Sequence, residues 1–392
     1  MTTLPEFIIV GGPDVDARLE LMHYLKVDFD VRAFGSKVNL HEKFLNEGFD
    51  YINYPLARGV NPLLDLFTLG KLYLDFRRLK PQVVLTFDTK PSVWGRLAAR
   101  LAGVPVIIGA LPGLGSLYVE DNIARRLLRS IYQWLQRIAC RFSDLTIFQN
   151  VDDANQFIAA GIISPQKVRV IPGSGVNTDV FVSDRVSYEK RAELRSELGF
   201  KPDEIVVTMV SRIIRSKGVF EFGAAAIQIS SHNPDVRFLL VGPVDNESMD
   251  RLNAEEFTHL RQAVTWPGPR NDIATVLASS DIFVLPSAYR EGIPRVLLEA
   301  ASMGLPIVTT DSPGCKDVVE NDINGFLVPV RDAIALSQAI LSLVEQPELR
   351  QQFGQVSRQR AVERFDLSII AMQFFMAYRQ IMARRESPTN VE

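Results

Sequence analysis

Short apolar runs alternate with longer amphipathic stretches along the whole chain. Phe7–Val10, Val31–Phe34, Val83–Phe87, Val104–Gly109 and Leu145–Phe148 read as buried strands that end near Gly, Asp or Asn. Between them, Pro62–Leu79, Ser92–Ala102 and Ile123–Phe142 carry helical periodicity. Alternation of this kind predicts a parallel, doubly wound α/β sheet.

The pattern then restarts. Val168–Ile171 leads into the breaker-rich Pro172-Gly173-Ser174-Gly175-Val176, followed by a charged helical stretch, Asp184–Glu197. A second series of strands follows at Ile205–Val210, Arg237–Val241, Ile282–Leu285, Pro306–Thr309 and Gly325–Pro329. Helices fit between them at Phe220–Ser230, Asp272–Ser279, Pro294–Met303 and Ala333–Leu343. Two Rossmann-like domains are therefore expected, spanning 1–178 and 190–367, with the boundary at 172–190. By fold analogy the amphipathic end, about 368–386, returns to the first domain. Open sheets of this type bind ligands outside the carboxyl ends of their strands, which directs attention to the loops there and to a cleft between the domains.

A length of 392 residues suits two domains better than one core. With 47% hydrophobic and 23% charged residues the composition is that of a globular protein. No apolar run approaches the roughly 18 residues a spanning helix needs. Met1–Pro5 lacks the basic residues of a secretory leader, and two cysteines make no disulfide framework or metal-ligand spacing, so a reducing, cytoplasmic setting is expected. There are 20 basic and 17 acidic residues before Gly175, and 23 and 29 after it. The first half thus suits an anionic partner better, but no basic stripe interleaved with aromatics points to nucleic acid.

Two stretches carry chemistry. Glu291-Gly292-Ile293-Pro294-Arg295-Val296-Leu297-Leu298-Glu299 follows the strand Ile282–Leu285. Pro294 suits a helix start, Gly292 permits close backbone approach, and the amides of Arg295 and Val296 face the end where an anion is stabilised. Glu299 is spaced to accept from ribose hydroxyls and Glu291 to face a sugar; each is otherwise an ordinary loop or helix carboxylate. The second stretch, Ser211-Arg212-Ile213-Ile214-Arg215-Ser216-Lys217-Gly218, directly follows Ile205–Val210. Cations fixed there stabilise a leaving diphosphate more than its ground state. Arg215 is taken as a solvated loop cation.

Arg212…Lys217-Gly218 followed by Glu291 and Glu299 resembles the family 4 retaining glycosyltransferases, which have the GT-B fold. Supporting matches run in order through Pro172–Phe181, Leu239–Gly242, Trp266-Pro267-Gly268, Pro286-Ser287 and Asn324-Gly325. The resemblance implies that Arg212, Lys217 and Gly218 hold the donor diphosphate with Gly292, Ile293, Arg295 and Val296. Glu299 would then hold the ribose and Glu291 the donor sugar. It brings Gly11-Gly12 to the phosphates and the backbone at Pro269–Arg270 to the base, and it implies no metal or other cofactor. Asp14-Val15-Asp16 is the wrong place for the metal pair of the other large transferase fold.

In the first half, Thr86-Phe87-Asp88-Thr89-Lys90 and Pro112-Gly113-Leu114-Gly115 resemble the subgroup that extends polyprenyl-diphosphate-linked sugars in bacterial polysaccharide, O-antigen, capsule or glycan assembly. Thr86, Lys90, Gly113 and Gly115 become the acceptor candidates. The His that many relatives carry after the next strand is absent from Ala110-Leu111-Pro112-Gly113, so no general base is assigned. Ile123–Phe142 sets Arg125, Arg126, Arg129, Arg137 and Arg141 beside Leu127, Ile131 and Trp134, a pattern suited to peripheral contact with anionic lipid or to packing on its own sheet. The expected reaction is transfer of a hexose or N-acetylhexosamine from a nucleotide, UDP-type, sugar to a lipid-linked saccharide. A nucleotide-sugar epimerase would favour acid/base histidines in the motifs, where this chain has none. A two-domain sugar-binding protein needs no cationic pair aimed at a diphosphate.

Overall fold

The computed structural model describes residues 4–57, 59–118, 123–248 and 250–386. Residues 1–3, at the start of the stretch lacking a basic leader, lie outside them. Two compact units emerge: the described residues up to Ser174 together with those from Leu367 onward, and Gly175–Asp366.

In the first unit the strands are β1 (Glu6–Val10), β2 (Asp30–Gly35), β3 (Asp50–Asn53), β4 (Val83–Thr86), β5 (Val106–Leu111), β6 (Leu145–Phe148) and β7 (Val168–Val170). They form one parallel sheet in the order β3-β2-β1-β4-β5-β6-β7, with Val10 opposite both Phe34 and Thr86. Its helices are α1 (Leu19–Leu25), α2 (His41–Asn46), α3 (Pro62–Leu79), α4 (Pro91–Ala102), α5 (Ile123–Phe142) and α6 (Val151–Ala159). The apolar runs became central strands because both faces are covered, which a continuous run of Val and Ile satisfies. β3 was not anticipated: Asp50-Tyr51-Ile52-Asn53 is a short edge strand with polar ends and lacks such a run.

The second unit comprises α7 (Tyr188–Glu197), β8 (Ile205–Val210), α8 (Val219–Ser230), β9 (Val236–Val241), α9 (Ala254–Ala263), α10 (Ile273–Ala278), β10 (Ile282–Leu285), α11 (Arg295–Ser302), β11 (Ile307–Thr310), β12 (Gly325–Val328), α12 (Ala333–Glu345) and α13 (Pro347–Arg360). Its parallel sheet runs β12-β11-β10-β8-β9. Its main core cluster holds Val207, Met209, Phe283, Leu285, Leu297 and Phe222, all fully buried, and a smaller one gathers Leu194, Phe200, Val206, Leu239, Val241 and Val276 on the same sheet.

The last helix, α14 (Leu367–Glu386), belongs to the first unit. Ile370, Ala371, Phe374, Ala377 and Ile381 are buried in the cluster that holds Phe7, Ile9 and Phe87, and Phe29 meets Tyr378 edge-on at 5.0 Å. Arg385 donates to Asp144 at 2.6 Å.

Each sheet reverses its winding once. Chain order runs outward from β1 to β3 and then resumes at β4 on the other side of β1; in the second sheet it runs from β8 to β9 and resumes at β10 on the other side of β8. Between β1 and β4, and between β8 and β10, the following helices diverge to opposite faces and leave an opening at the carboxyl ends, where ligands of doubly wound sheets bind. Both sequence-selected loop pairs sit at these two points.

Candidate functional site

In the second unit, the loop after β8 tightens into a single 3₁₀ turn, Arg215–Lys217, closed by Gly218 in the left-handed region at φ 81°. A Cβ on Gly218 would stand 2.1 Å from the Pro286 carbonyl oxygen, so only glycine lets the loops after β8 and β10 meet. The Ser216 carbonyl accepts from the amides of Ala288 and Tyr289 at 2.8 and 2.9 Å, and the Ser216 amide donates to Asp250 at 2.7 Å. This closure brings the Lys217 ammonium onto Glu291 Oε1, which also accepts from Ser287 Oγ at 3.1 Å. The two side chains keep only 13% and 12% exposure, so water screens their pairing far less than it screens a surface ion pair. Lys217 Nζ lies 5.3 Å from the Tyr289 ring centre.

A third loop joins them. Gly314, after β11, has φ 84°, and a Cβ there would fall 1.6 Å from the Gly292 carbonyl oxygen. The neighbouring Cys315 thiol is fully buried, and burial, with the Glu291 carboxylate adding to it, pushes it up to about 11. That thiol is not a nucleophile at neutral pH. Glu299 is mostly buried on α11 and accepts from Arg295 Nε at 3.0 Å.

Arg212 belongs to a different contact. Its guanidinium donates to Asp245 at 2.6 Å, beyond β9, where Gly242 at φ 143° admits the Ser211 carbonyl. Arg212 and Lys217 are therefore each compensated by a separate carboxylate. Arg215 is an exposed loop cation, as expected, and donates to Glu256 on α9. Arg270 is clamped by Asp272 and Glu197, which together raise its already high pKa, while Pro269 beside it is exposed. The Ile293 side chain is buried in the core, so its contribution to a ligand is confined to backbone. Pro294, the expected first helical residue, is instead the N-cap with extended backbone, so α11 starts one residue later at Arg295; Val296 packs half-buried against the core.

In the first unit, the Gly11 carbonyl accepts from Tyr54 Oη at 2.7 Å, and the Gly12 amide donates to Asp88 Oδ2 at 2.8 Å. The Gly12 N–H, expected to approach phosphate, is thus held by a carboxylate. Asp88 adopts φ 66°, an uncommon value for a residue with a side chain, and spacing gave no sign of it. Lys90 is paired with the buried Asp65 of α3 at 2.6 Å. Thr86 is fully buried on β4, its hydroxyl directed at the Ile108 carbonyl, so it offers nothing to an acceptor. Gly113 and Gly115 both have positive φ, at 146° and 66°, and turn the chain after β5.

Behind Lys90, sequence reasoning missed Arg96. It is fully buried, with hydrogen bonds to Gln136, Ser143 and Thr146 and to the Ser92 carbonyl, and Gly109 leaves the space its guanidinium fills. Asp14 and Asp16 pair with Lys37 and Lys43, and among the described residues no group of three His, Cys, Asp or Glu is arranged to hold a metal. A cavity of about 880 Å³ opens at the other end of the second sheet, between Arg195, Leu305 and Arg350, whose arginines are engaged mainly by backbone carbonyls. It touches none of the loops above.

Comparison with known proteins agrees with this arrangement. Residues 190–360 match the family described as Glycosyl transferases group 1, and residues 28–173 match the Glycosyl transferase 4-like domain. The UDP-Gal:alpha-D-GlcNAc-diphosphoundecaprenol alpha-1,3-galactosyltransferase of Escherichia coli is 32% identical over 294 residues, 74% of this chain and 73% of that one. The chain belongs to the group 1 glycosyltransferases. The transferase is also 30% identical over 346 residues, 87% of its length and 88% of the other's, to N,N'-diacetylbacillosaminyl-diphospho-undecaprenol alpha-1,3-N-acetylgalactosaminyltransferase of Campylobacter jejuni. Anabaena HepE, solved in complex with UDP and glucose, superposes with a TM-score of 0.78 at 18% identity, covering 96% of the transferase and 99% of HepE. The fold is GT-B. No helix among the described residues is long and apolar enough to cross a membrane.

Proposed function

We propose that the transferase moves a hexose or N-acetylhexosamine, with retention, from a UDP-sugar to a polyprenyl-diphosphate-linked saccharide at the cytoplasmic face of the membrane. The observation that carries this reading is the Lys217–Glu291 pair at the winding reversal of the second sheet, with Glu299 within the helix that follows. When donor binds, its diphosphate takes Lys217 from Glu291, and Glu291 turns to the sugar hydroxyls. Arg212 exchanges Asp245 for the same diphosphate, and Glu299 holds the ribose. The bond from C1 to the β-phosphate oxygen breaks and the oxygen keeps the electron pair. The acceptor hydroxyl oxygen bonds to C1 on the face the diphosphate leaves, and its proton passes to the departing β-phosphate oxygen. Fixed cations act most strongly as charge collects on the leaving oxygen, which lowers the barrier rather than merely tightening binding.

The first unit, with α14, is the acceptor side, and the second unit, Gly175–Asp366, the donor side. Lys90 meets the acceptor diphosphate once Asp65 releases it. The names of the two bacterial relatives, both acting on diphospho-undecaprenol sugars, support this acceptor class. Membrane contact falls to α5, which carries five arginines and whose Ile123, Leu127, Ile131 and Trp134 are exposed; its inner face meets Arg96 through Gln136. Mass spectrometry of a lipid-linked acceptor incubated with a panel of nucleotide sugars tests the reading. Addition of one hexose or N-acetylhexosamine from a UDP-sugar with an α-linked product supports it, and no mass gain with any donor refutes it.

A further inference from the structure

We infer that the cavity at the amino ends of β8, β10 and β11 is a second ligand site, suited to a small phosphate ester and separate from the site of Lys217 and Glu291. It encloses about 880 Å³, within the range of small-molecule pockets. Phe200, Leu277, Met303 and Leu305, all buried, give it an apolar floor. Its lining residues include four cations, Arg191, Arg195, Lys201 and Arg350, against one carboxylate, Asp281. Asp281 is already engaged, its Oδ2 accepting from Arg195 Nη2 at 2.9 Å and from the Val206 amide at 2.8 Å.

The four cations divide by what their donors meet. Arg195 is fully occupied, since its other donors go to the Ser279, Pro202 and Glu204 carbonyls, and it serves as scaffold. Arg350 is only half engaged. Its Nη1 donates to the Leu343 and Val344 carbonyls, at the end of α12, at 2.6 and 2.8 Å, whereas among the described residues its Nε and Nη2 meet no acceptor. Arg191 gives Nε and Nη2 to the Val186 and Ser183 carbonyls and keeps Nη1. Carbonyls fix a guanidinium in place without cancelling its charge, and neither arginine forms an ion pair among the described residues. Lys201 is exposed at the rim; the nearby Glu204 carboxylate is bound by Arg237. Two anchored guanidiniums and an ammonium around one cavity match an oxoanion, and a fork already held in place loses little freedom on binding it. A phosphate monoester, at about −1.5 to −2 near neutral pH, answers more of this charge than a carboxylate does. The apolar floor takes the organic part that inorganic phosphate lacks.

Nucleotides bind doubly wound sheets at the carboxyl ends of their strands. The cavity lies at the opposite ends and shares no lining residue with the loops holding Lys217, Glu291 or Gly314. An ester bound there does not compete with UDP. The test is calorimetric titration of phenyl phosphate, glycerol phosphate and inorganic phosphate, each with and without saturating UDP. The expected result is saturable binding of the esters, unaffected by UDP and roughly tenfold or more tighter than that of inorganic phosphate, as burying the organic part should make it. Lys201→Glu, at an exposed position, weakens ester binding by roughly tenfold or more and leaves UDP affinity and thermal unfolding as in the parent. Arg350→Gln weakens it at least as much, with thermal unfolding reporting the separate loss of its bonds to α12. No saturable binding of any probe overturns the inference, as do displacement by UDP, equal affinity for inorganic phosphate, or unchanged ester affinity in Lys201→Glu. A protein that binds the ester but not UDP counts against the donor assignment and not against this site.

Discussion

Replacing Lys217 with alanine separates catalysis from stability at one residue. Two losses follow, and their sizes can be set against each other. The substitution removes the ammonium proposed to meet the departing diphosphate, a charge-assisted contact of about 1.5–3 kcal/mol, or about 10- to 150-fold in kcat/KM. It also takes the ammonium partner from Glu291, which is only 12% exposed and accepts from Ser287 as well. Stranding a charge so nearly buried costs up to about 3–5 kcal/mol of stability, less whatever water enters the alanine space. A double substitution, Lys217→Ala with Glu291→Gln, distinguishes the two. Neutralising Glu291 removes the stranded charge, so the double variant unfolds at a higher temperature than Lys217→Ala alone, while transfer is not restored. Initial rates over a donor titration, with thermal unfolding of the single and double variants, provide the assay. A loss of kcat/KM below threefold in Lys217→Ala, or rates that recover together with stability, would refute the reasoning.

Three further outcomes are expected. Glu291→Gln lowers kcat by about a hundredfold or more, as losing a contact to the reacting sugar should, while calorimetry finds UDP bound at least as tightly as by the parent, because Lys217 is no longer held by a carboxylate; weaker UDP binding would contradict the pairing. Gly218→Ala forces the loops after β8 and β10 apart, since its Cβ would lie 2.1 Å from the Pro286 carbonyl at φ 81°, and both transfer and thermal stability fall; parental values in both would contradict it. Glu204 is buried in a hydrogen bond from Arg237 that lowers its pKa to about 2. With the folded value below the unfolded 4.5, its stabilisation is complete above that pH and fades as pH falls from 4.5 toward 2. Acid titration of Glu204→Gln therefore lacks part of the parental stability loss in that window, and superimposable titrations would contradict the assignment.

The strands that position the site were legible because β10 is a continuous apolar run and β8 is broken only by Thr208, the signature of strands covered on both faces. The same property hid the fate of individual residues. On a strand buried on both sides no alternation reveals which end residue faces a ligand, so Thr86 read as an acceptor contact and is sealed beneath α4. Lys217 and Glu291 were each visible in a motif, yet they stand 74 residues apart and their pairing depends on Gly218 meeting Pro286. Asp88 was hidden for a related reason: its role comes from its backbone conformation and its capture of the Gly12 amide, neither of which spacing encodes. α3 carried apolar residues on two faces, and composition alone did not tell which face was covered.

The most direct measurement is a structure of the transferase with an intact UDP-sugar bound. The account predicts Lys217 Nζ transferred from Glu291 to a β-phosphate oxygen, Glu291 on the sugar hydroxyls and Glu299 on the ribose. A donor bound with Lys217 still closed on Glu291, and its diphosphate held elsewhere, would contradict it.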